Sequence, residues 1–235
     1  MNNHFELRVL PTIEDVCSAA VNIFTDLLNT EGENTFIVPG GTTPHIFYRY
    51  LAQQVHNWRD TTLVLSDERL VQEDSPESNS GMIKRNLFDL IRKEKPPKLV
   101  PVVNGISPEQ SSKIFESLNL STRPLLPFKA AFLGIGNDGH TASLFPGLVE
   151  DNHNEDPFIL VNKPKEPFKR ISVSSKILSE IPLLVFLVAG KEKKSVLNRI
   201  VNPPKNIEPL IVQDVIKRSD REVIIICDKD AVPDK

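Results

Sequence analysis

The sequence predicts an α/β fold: a mainly parallel sheet with helices on both faces. Three observations carry this. Short β-prone apolar runs alternate along the chain with segments of helical periodicity. Several runs, Leu183 to Ala189 above all, are continuously apolar, as strands buried on both faces are. Loops with glycine and helix-capping residues follow the strands, where α/β proteins place ligands. A chain of 235 residues that is 40% hydrophobic supports a sizeable core. With no internal repeat and no long linker, the reading is a single domain over residues 1–235.

The elements follow in order. Phe5 to Leu10 is a short strand closed by Pro11, and Thr12 can cap the next helix. Ile13, Val16, Cys17, Ala20, Val21, Phe24, Leu27 and Leu28 recur at three- and four-residue steps, an amphipathic helix. Thr35 to Val38 is β-prone and runs into Pro39-Gly40-Gly41-Thr42-Thr43-Pro44, with Thr43 as N-cap and Pro44 as N1 of a helix carrying Ile46, Phe47, Tyr50, Leu51 and Val55. Thr61 to Leu65 is a strand that ends in the charged loop Ser66-Asp67-Glu68-Arg69. A helix is expected from Asn79 to about Arg92, and a strand over Lys98 to Val103. Ser107-Pro108 opens a helix that fades near Leu120. Lys129 to Leu133, Phe158 to Val161, Arg170 to Ser174, Leu183 to Ala189 and Val223 to Cys227 are strands. Glu150 to Lys169 is an excursion, and helices are expected over Ser195 to Ile200 and Pro209 to Lys217.

Composition excludes several classes. The net charge is −3, so no bulk electrostatic case exists for nucleic acid or membrane, and any anion site is local. Cys17 and Cys227 lie far apart and form no CxxC or zinc spacing, and a reduced compartment is favoured. Met1 to Leu10 is polar, with no apolar segment of a signal peptide. Ile181 to Ala189 is the longest apolar run and is too short to span a bilayer.

Four constellations carry chemistry. Gly40-Gly41-Thr42-Thr43-Pro44 joins a strand to a capped helix N-terminus, where free N–H groups, the dipole and two hydroxyls suit a phosphate; the alternative is a plain tight turn. In Asp67-Glu68-Arg69, with Ser78-Asn79 following, Arg69 can grip a phosphate bidentately beside a carboxylate; the alternative is a solvated charged turn. The third is Gly134-Ile135-Gly136-Asn137-Asp138-Gly139-His140-Thr141-Ala142-Ser143-Leu144-Phe145-Pro146-Gly147. It spells G-x-G-x-x-G, but Pro146 cuts any helix short and Ile159 to Asn162 offer no carboxylate, so it is a poor dinucleotide site. Nor does Asp138, His140 and Ser143 make a serine triad, since no G-x-S-x-G elbow exists. His140 is the candidate acid–base group, or a surface histidine in a glycine loop. The fourth pairs Arg170, at a strand start, with Lys193, after a strand; alone, each is an ordinary surface cation. In a parallel sheet the loops after strands share one edge. Together they describe a phosphorylated small molecule held by its phosphate, with a histidine at its reacting end.

The order and spacing of these motifs resemble the 6-phosphogluconolactonase family along nearly the whole chain, and Gly190 to Leu197 is similar to a family pattern that selects Lys193 over its neighbours. Lys169-Arg170-Ile171-Ser172 is similar to the family's basic strand start. Glucosamine-6-phosphate deaminases share the Asp-Gly-His core but continue differently, whereas Ala142 to Pro146 has the lactonase form. Pro39 and the lack of a tryptophan in Val223 to Cys227 depart from the pattern, while Asp228 and Ala231 fit it. The resemblance implies a modified Rossmann-type fold and a cytoplasmic role in the pentose phosphate pathway. It also implies no metal or organic cofactor, and a phosphosugar lactone as the partner molecule. A monomer or weak homo-oligomer is expected. His140 would activate water, with Asp138 orienting either the loop or His140. N–H groups around Gly139 to Thr141, or a cation, would hold the oxyanion. Gly40, Gly41, Thr42, Thr43, Arg69, Arg170 and Lys193 would hold the phosphate, with Asp67, Asn137 and Gly139 completing the substrate contacts. The rivals are a deaminase or isomerase, and a sugar-phosphate-binding regulator, for which neither terminus has room for a DNA-binding segment.

Overall fold

The computed structural model describes residues 5–41, 44–91, 95–103, 107, 109–147, 156–163, 166–218 and 221–232. Strand β1 (Glu6–Leu10) leads into α1 (Ile13–Leu28). Thr12 caps that helix reciprocally: its hydroxyl accepts the Asp15 N–H, and the Asp15 carboxylate accepts the Thr12 N–H at 3.1 Å. The predicted apolar stripe of α1 is buried, from Val16 to Leu28. Next come β2 (Thr35–Val38), α2 (Pro44–Gln54), β3 (Thr62–Leu65), β4 (Asp67–Arg69), α3 (Asn79–Asn86) and β5 (Lys98–Leu99). They are followed by α4 (Ser111–Thr122), β6 (Ala130–Gly134), β7 (Phe158–Val161), β8 (Arg170–Val173) and α5 (Ser175–Glu180). The chain closes with β9 (Leu183–Val188), α6 (Lys194–Val201), α7 (Ile211–Arg218) and β10 (Glu222–Asp228).

Seven strands form one sheet in the order β1-β10-β9-β6-β2-β3-β5, and every pair in it is parallel. Every residue of β2 and β9 is buried, so both faces of the sheet centre are covered. Phe24 of α1 lies 4.4 Å from Phe36 and 5.7 Å from Phe132, and Phe47 of α2 stacks on Phe132 at 5.4 Å, centroid to centroid. Two helices thus pack on neighbouring central strands through one aromatic cluster. The chain winds outward from β2 through β3 to β5, then returns to β6 and winds the other way through β9 to β10. The connections after β2 and β6 therefore diverge, which opens a crevice at the carboxyl ends of those strands.

The largest departure from expectation is Asp67-Glu68-Arg69. It is a strand, not a loop. It pairs antiparallel with β8, which pairs antiparallel with β7, so two expected strands join a second, three-stranded sheet. Such a short charged segment has little strand propensity of its own; its partner strand supplies the conformation. The other departures are local. Helix α3 ends at Asn86 with a 3-10 turn over Phe88–Leu90, short of Arg92, which lies outside the described residues. Only Lys98–Leu99 of the run to Val103 pairs with β3. Helix α4 begins at Ser111, beyond Ser107, and Pro108 lies outside the described residues. Helix α5 was not expected; Ser174 caps it by accepting the Ile177 N–H. Among the described residues, no helix is long and apolar enough to cross a membrane.

Candidate active site

The crevice holds a cavity of about 550 Å³. One wall is the turn after β6. Gly136 donates its N–H to the His140 carbonyl at 2.8 Å, and Gly139, with φ +84, donates to the Gly136 carbonyl at 2.9 Å. A Cβ at Gly136 would fall 2.0 Å from His140 Nδ1. That glycine therefore serves the packing of a histidine, not a nucleotide. Asp138 Oδ1 lies 2.5 Å from His140 Nδ1 and also accepts the His140 N–H at 3.2 Å. A carboxylate only accepts, so Nδ1 carries the proton and Nε2 is the free, basic nitrogen. Asp138 thus orients both the loop and the ring. Burial disfavours its charge, but the hydrogen bonds and charge of His140 outweigh this and hold the carboxyl below its usual value. Phe145 backs the imidazole at 4.7 Å between ring centroids.

Lys193 reaches the same loop from the turn after β9. Its Nζ donates to the Ile135 carbonyl and to Asn137 Oδ1, both at 2.8 Å. Burial pulls its pKa down, against the pull of Glu192 and Asp138. Gly139 is not on the cavity wall. Leu210 packs beside its Cα, and its carbonyl accepts the Val212 N–H at 3.1 Å. With the N–H groups of Gly139 and His140 both engaged inside the turn, Lys193 is the better-placed group for a developing oxyanion.

The opposite wall is the small sheet. Its register sets Arg69 directly across from Arg170, and Asp67 across from Ser172. Like charges directly opposed on a sheet destabilise it, so each arginine has a carboxylate of its own. Arg69 Nη1 donates to the Glu77 carbonyl at 2.8 Å and lies 3.6 Å from its carboxylate; its buried Nε has no hydrogen-bond partner among the described residues. Arg170 Nε donates to Glu166 Oε2 at 2.8 Å, its Nη1 lies 3.7 Å from Asp67 Oδ2, and Phe145 and Phe168 flank it at 5.4 and 5.5 Å.

The third wall is the turn after β2. Gly41 has φ +95, and a Cβ at Gly40 would lie 2.1 Å from the Asn79 side chain. Asn79 is the strut here: Oδ1 accepts the Gly41 N–H at 3.4 Å, and Nδ2 donates to the Asp67 carbonyl at 2.8 Å. Glu68 holds the strut by accepting the N–H groups of Asn79 and Ser80 at 2.8 and 2.7 Å. Thr42 and Thr43 lie outside the described residues.

Of the residues singled out from the sequence, Gly40, Gly41, Asp67, Arg69, Asn137, Asp138, His140, Arg170 and Lys193 line one cavity. Sequence reasoning missed Asn79 as a strut, weighed Ser143 only as a triad nucleophile, and gave Phe145 and Glu166 no role of their own. Ser143 and Phe145 lay inside the quoted motif. Glu166 carries no motif signal; its carboxylate sits between Lys163 at 2.9 Å and Arg170 at 2.8 Å. Among the described residues no cluster of His, Cys, Asp and Glu is arranged to hold a metal ion.

Comparison with known proteins places the chain in one family. The family described as glucosamine-6-phosphate isomerases/6-phosphogluconolactonase matches residues 11–223. A 6-phosphogluconolactonase of Caulobacter vibrioides is 31% identical over 225 residues, covering 90% of this chain and 94% of that protein. The solved 6-phosphogluconolactonase from Trypanosoma cruzi superposes with a TM-score of 0.83 at 22% identity, covering 98% of this chain and 97% of the other. A monomeric glucosamine-6-phosphate deaminase superposes nearly as well, with a TM-score of 0.80 at 19% identity and coverage of 97% and 98%. Backbone likeness alone does not separate the two activities.

Proposed function

The chain belongs to the glucosamine-6-phosphate isomerase/6-phosphogluconolactonase family, and we propose that it hydrolyses 6-phospho-D-glucono-1,5-lactone to 6-phospho-D-gluconate. This is the second step of the oxidative pentose phosphate pathway. The observation that carries the reading is one cavity with a carboxylate-held histidine on one wall and two opposed arginines on another. A phosphate and an ester carbonyl at opposite ends of one sugar need that division.

His140 Nε2 takes a proton from water as the oxygen adds to the lactone carbonyl. The imidazolium is stabilised by Asp138, and Lys193 lies beside the same loop to balance the oxyanion. Collapse breaks the bond to the ring oxygen, which receives the proton from His140. The carboxylic acid product then ionises. No covalent enzyme intermediate is required. Arg69, Arg170, Gly40 and Gly41, with Thr42 and Thr43, hold the phosphate, and Asp67 and Asn137 attend the sugar, while Gly139 shapes the turn from behind the cavity wall. Anchoring the remote phosphate places the reacting carbon. The substrate is a free small molecule, and the reading carries with it a cytoplasmic, cofactor-free, single-domain enzyme acting as a monomer or weak homo-oligomer.

A lactonase assay on freshly made substrate, corrected for spontaneous hydrolysis, tests this directly. His140→Ala is expected to lower kcat by about 10²–10⁴-fold while 6-phosphogluconate still binds. Full kcat in that variant removes His140 from the reaction. Ammonia released from glucosamine 6-phosphate, with no lactone hydrolysis, moves the chain to the deaminase branch.

A further inference from the structure

Asp67 and Arg170 form an ion pair that does not close. Their side chains are only 9% and 11% exposed, yet Oδ2 and Nη1 stay 3.7 Å apart. A guanidinium and a carboxylate with nothing between them approach to about 2.7–2.9 Å. The Ser143 hydroxyl lies between these two. It donates to Asp67 Oδ2 at 2.6 Å and accepts from Arg170 Nη1 at 3.4 Å. Ser143 is fully buried, and its N–H donates to Ser172 Oγ at 3.0 Å. The turn that delivers it is pinned as well. Thr141 Oγ1 donates to the Gly134 carbonyl at 3.0 Å, and Ala142 takes φ 51, an uncommon conformation that its surroundings must hold.

We propose that Ser143 is a positioning residue: its hydroxyl is a spacer that keeps the Asp67–Arg170 pair open, leaving the guanidinium able to bind an anion in the cavity. The proposal rests on the reading of the small sheet as the phosphate wall. Glu166 already takes Arg170 Nε. Without the hydroxyl, Asp67 Oδ2 loses its donor and closes on Nη1, and two carboxylates then hold Nε and Nη1 and outweigh the charge of one arginine. The hydrogen bonds that orient the histidine stand apart from this change, although Phe145 packs against both His140 and Arg170. The bonds of His140 to Asp138 and Gly136 lie within residues 136–140 and do not pass through Ser143. The spacer therefore governs binding rather than the proton transfer.

Binding is read by calorimetry with inorganic phosphate and with 6-phosphogluconate, and turnover by the lactonase assay. Ser143→Ala is expected to weaken phosphate and raise KM by about tenfold while kcat stays within about threefold, a split that a merely structural role does not produce. Adding Asp67→Asn to Ser143→Ala is expected to recover phosphate affinity to within about threefold of wild type, because a neutral amide has no charge to close on Arg170. Wild-type phosphate affinity in Ser143→Ala overturns the proposal. So does a double variant as weak as the single one. Should Ser143→Ala lose its cooperative melting transition, Ser143→Cys, close in size and a poor donor, must show the same shift in milder form, and an unchanged Kd overturns the spacer. A wild-type chain that binds phosphate but does not hydrolyse the lactone retracts the lactonase reading; the spacer then stands or falls on the phosphate data alone. A wild-type chain that binds no phosphate overturns the spacer.

Discussion

His140 has its place only because Gly136 has no side chain. A methyl there would overlap the imidazole, so Gly136→Ala is expected to swing the ring off Asp138 and lower kcat by about 10²-fold or more, measured with the fold checked by circular dichroism. Asp138 is a second test at this scale. Its carboxyl titrates below its usual value in the folded chain. The stabilisation it supplies is complete above the unfolded value of about 4 and is lost as pH falls through the lowered folded value. Thermal melts of wild type and Asp138→Asn should therefore differ above about pH 4 and converge as pH falls further, through the lowered folded value. Asp138→Asn should also lower kcat, since an amide leaves the imidazolium without its counter-charge. The sequence named both His140 and Asp138, because their motif is local. The role of Ser143 was not legible, because it acts on Arg170, 27 residues on and adjacent only once β8 is in place; Glu166 lies four residues from Arg170, but that pair gains a meaning only when Arg170 is set on the cavity wall.

At the scale of elements, α3 depends on one buried carboxylate. Glu68 accepts the N–H groups of Arg69, Asn79 and Ser80, and Ser78 Oγ lies 3.4 Å from it. It neutralises the helix N-terminus from the preceding strand, so those N–H groups serve the fold and not a phosphate. Glu68→Ala leaves buried donors unpaired and is expected to cost about 1–3 kcal/mol in urea denaturation. Glu68→Gln should recover little, because its NH₂ faces donors. The helices α1 and α2 and the strands β2, β3, β6, β9 and β10 were legible as apolar patterns, since burial writes its period into the sequence. The Asp67–Arg69 strand was not. Its residues are polar, and its conformation comes from pairing with β8, which lies about a hundred residues on.

For the whole molecule, the aromatic cluster of Phe24, Phe36, Phe47 and Phe132 ties α1 and α2 to the strands that flank the crevice. Phe132 is fully buried and lies in β6, just before the turn that carries His140. Phe132→Ala is expected to cost about 3–5 kcal/mol, a large part of the roughly 5–15 kcal/mol typical of a whole protein, and the shift in the denaturation midpoint measures it. The class of fold, the family and the pairing of candidates in the Gly134 to His140 turn could be read from the chain alone, because alternation of apolar patterns and contiguous motifs need no distant partner. Only the tertiary structure decided that Asp67 to Arg69 is a strand and that two arginines oppose each other. It alone decided that Asn79 braces the glycine turn and that Ser143 stands between Asp67 and Arg170. Those relations are set by strand register and by the reversal of sheet order between β2 and β6, and register is a property of pairing, which no single stretch of chain contains.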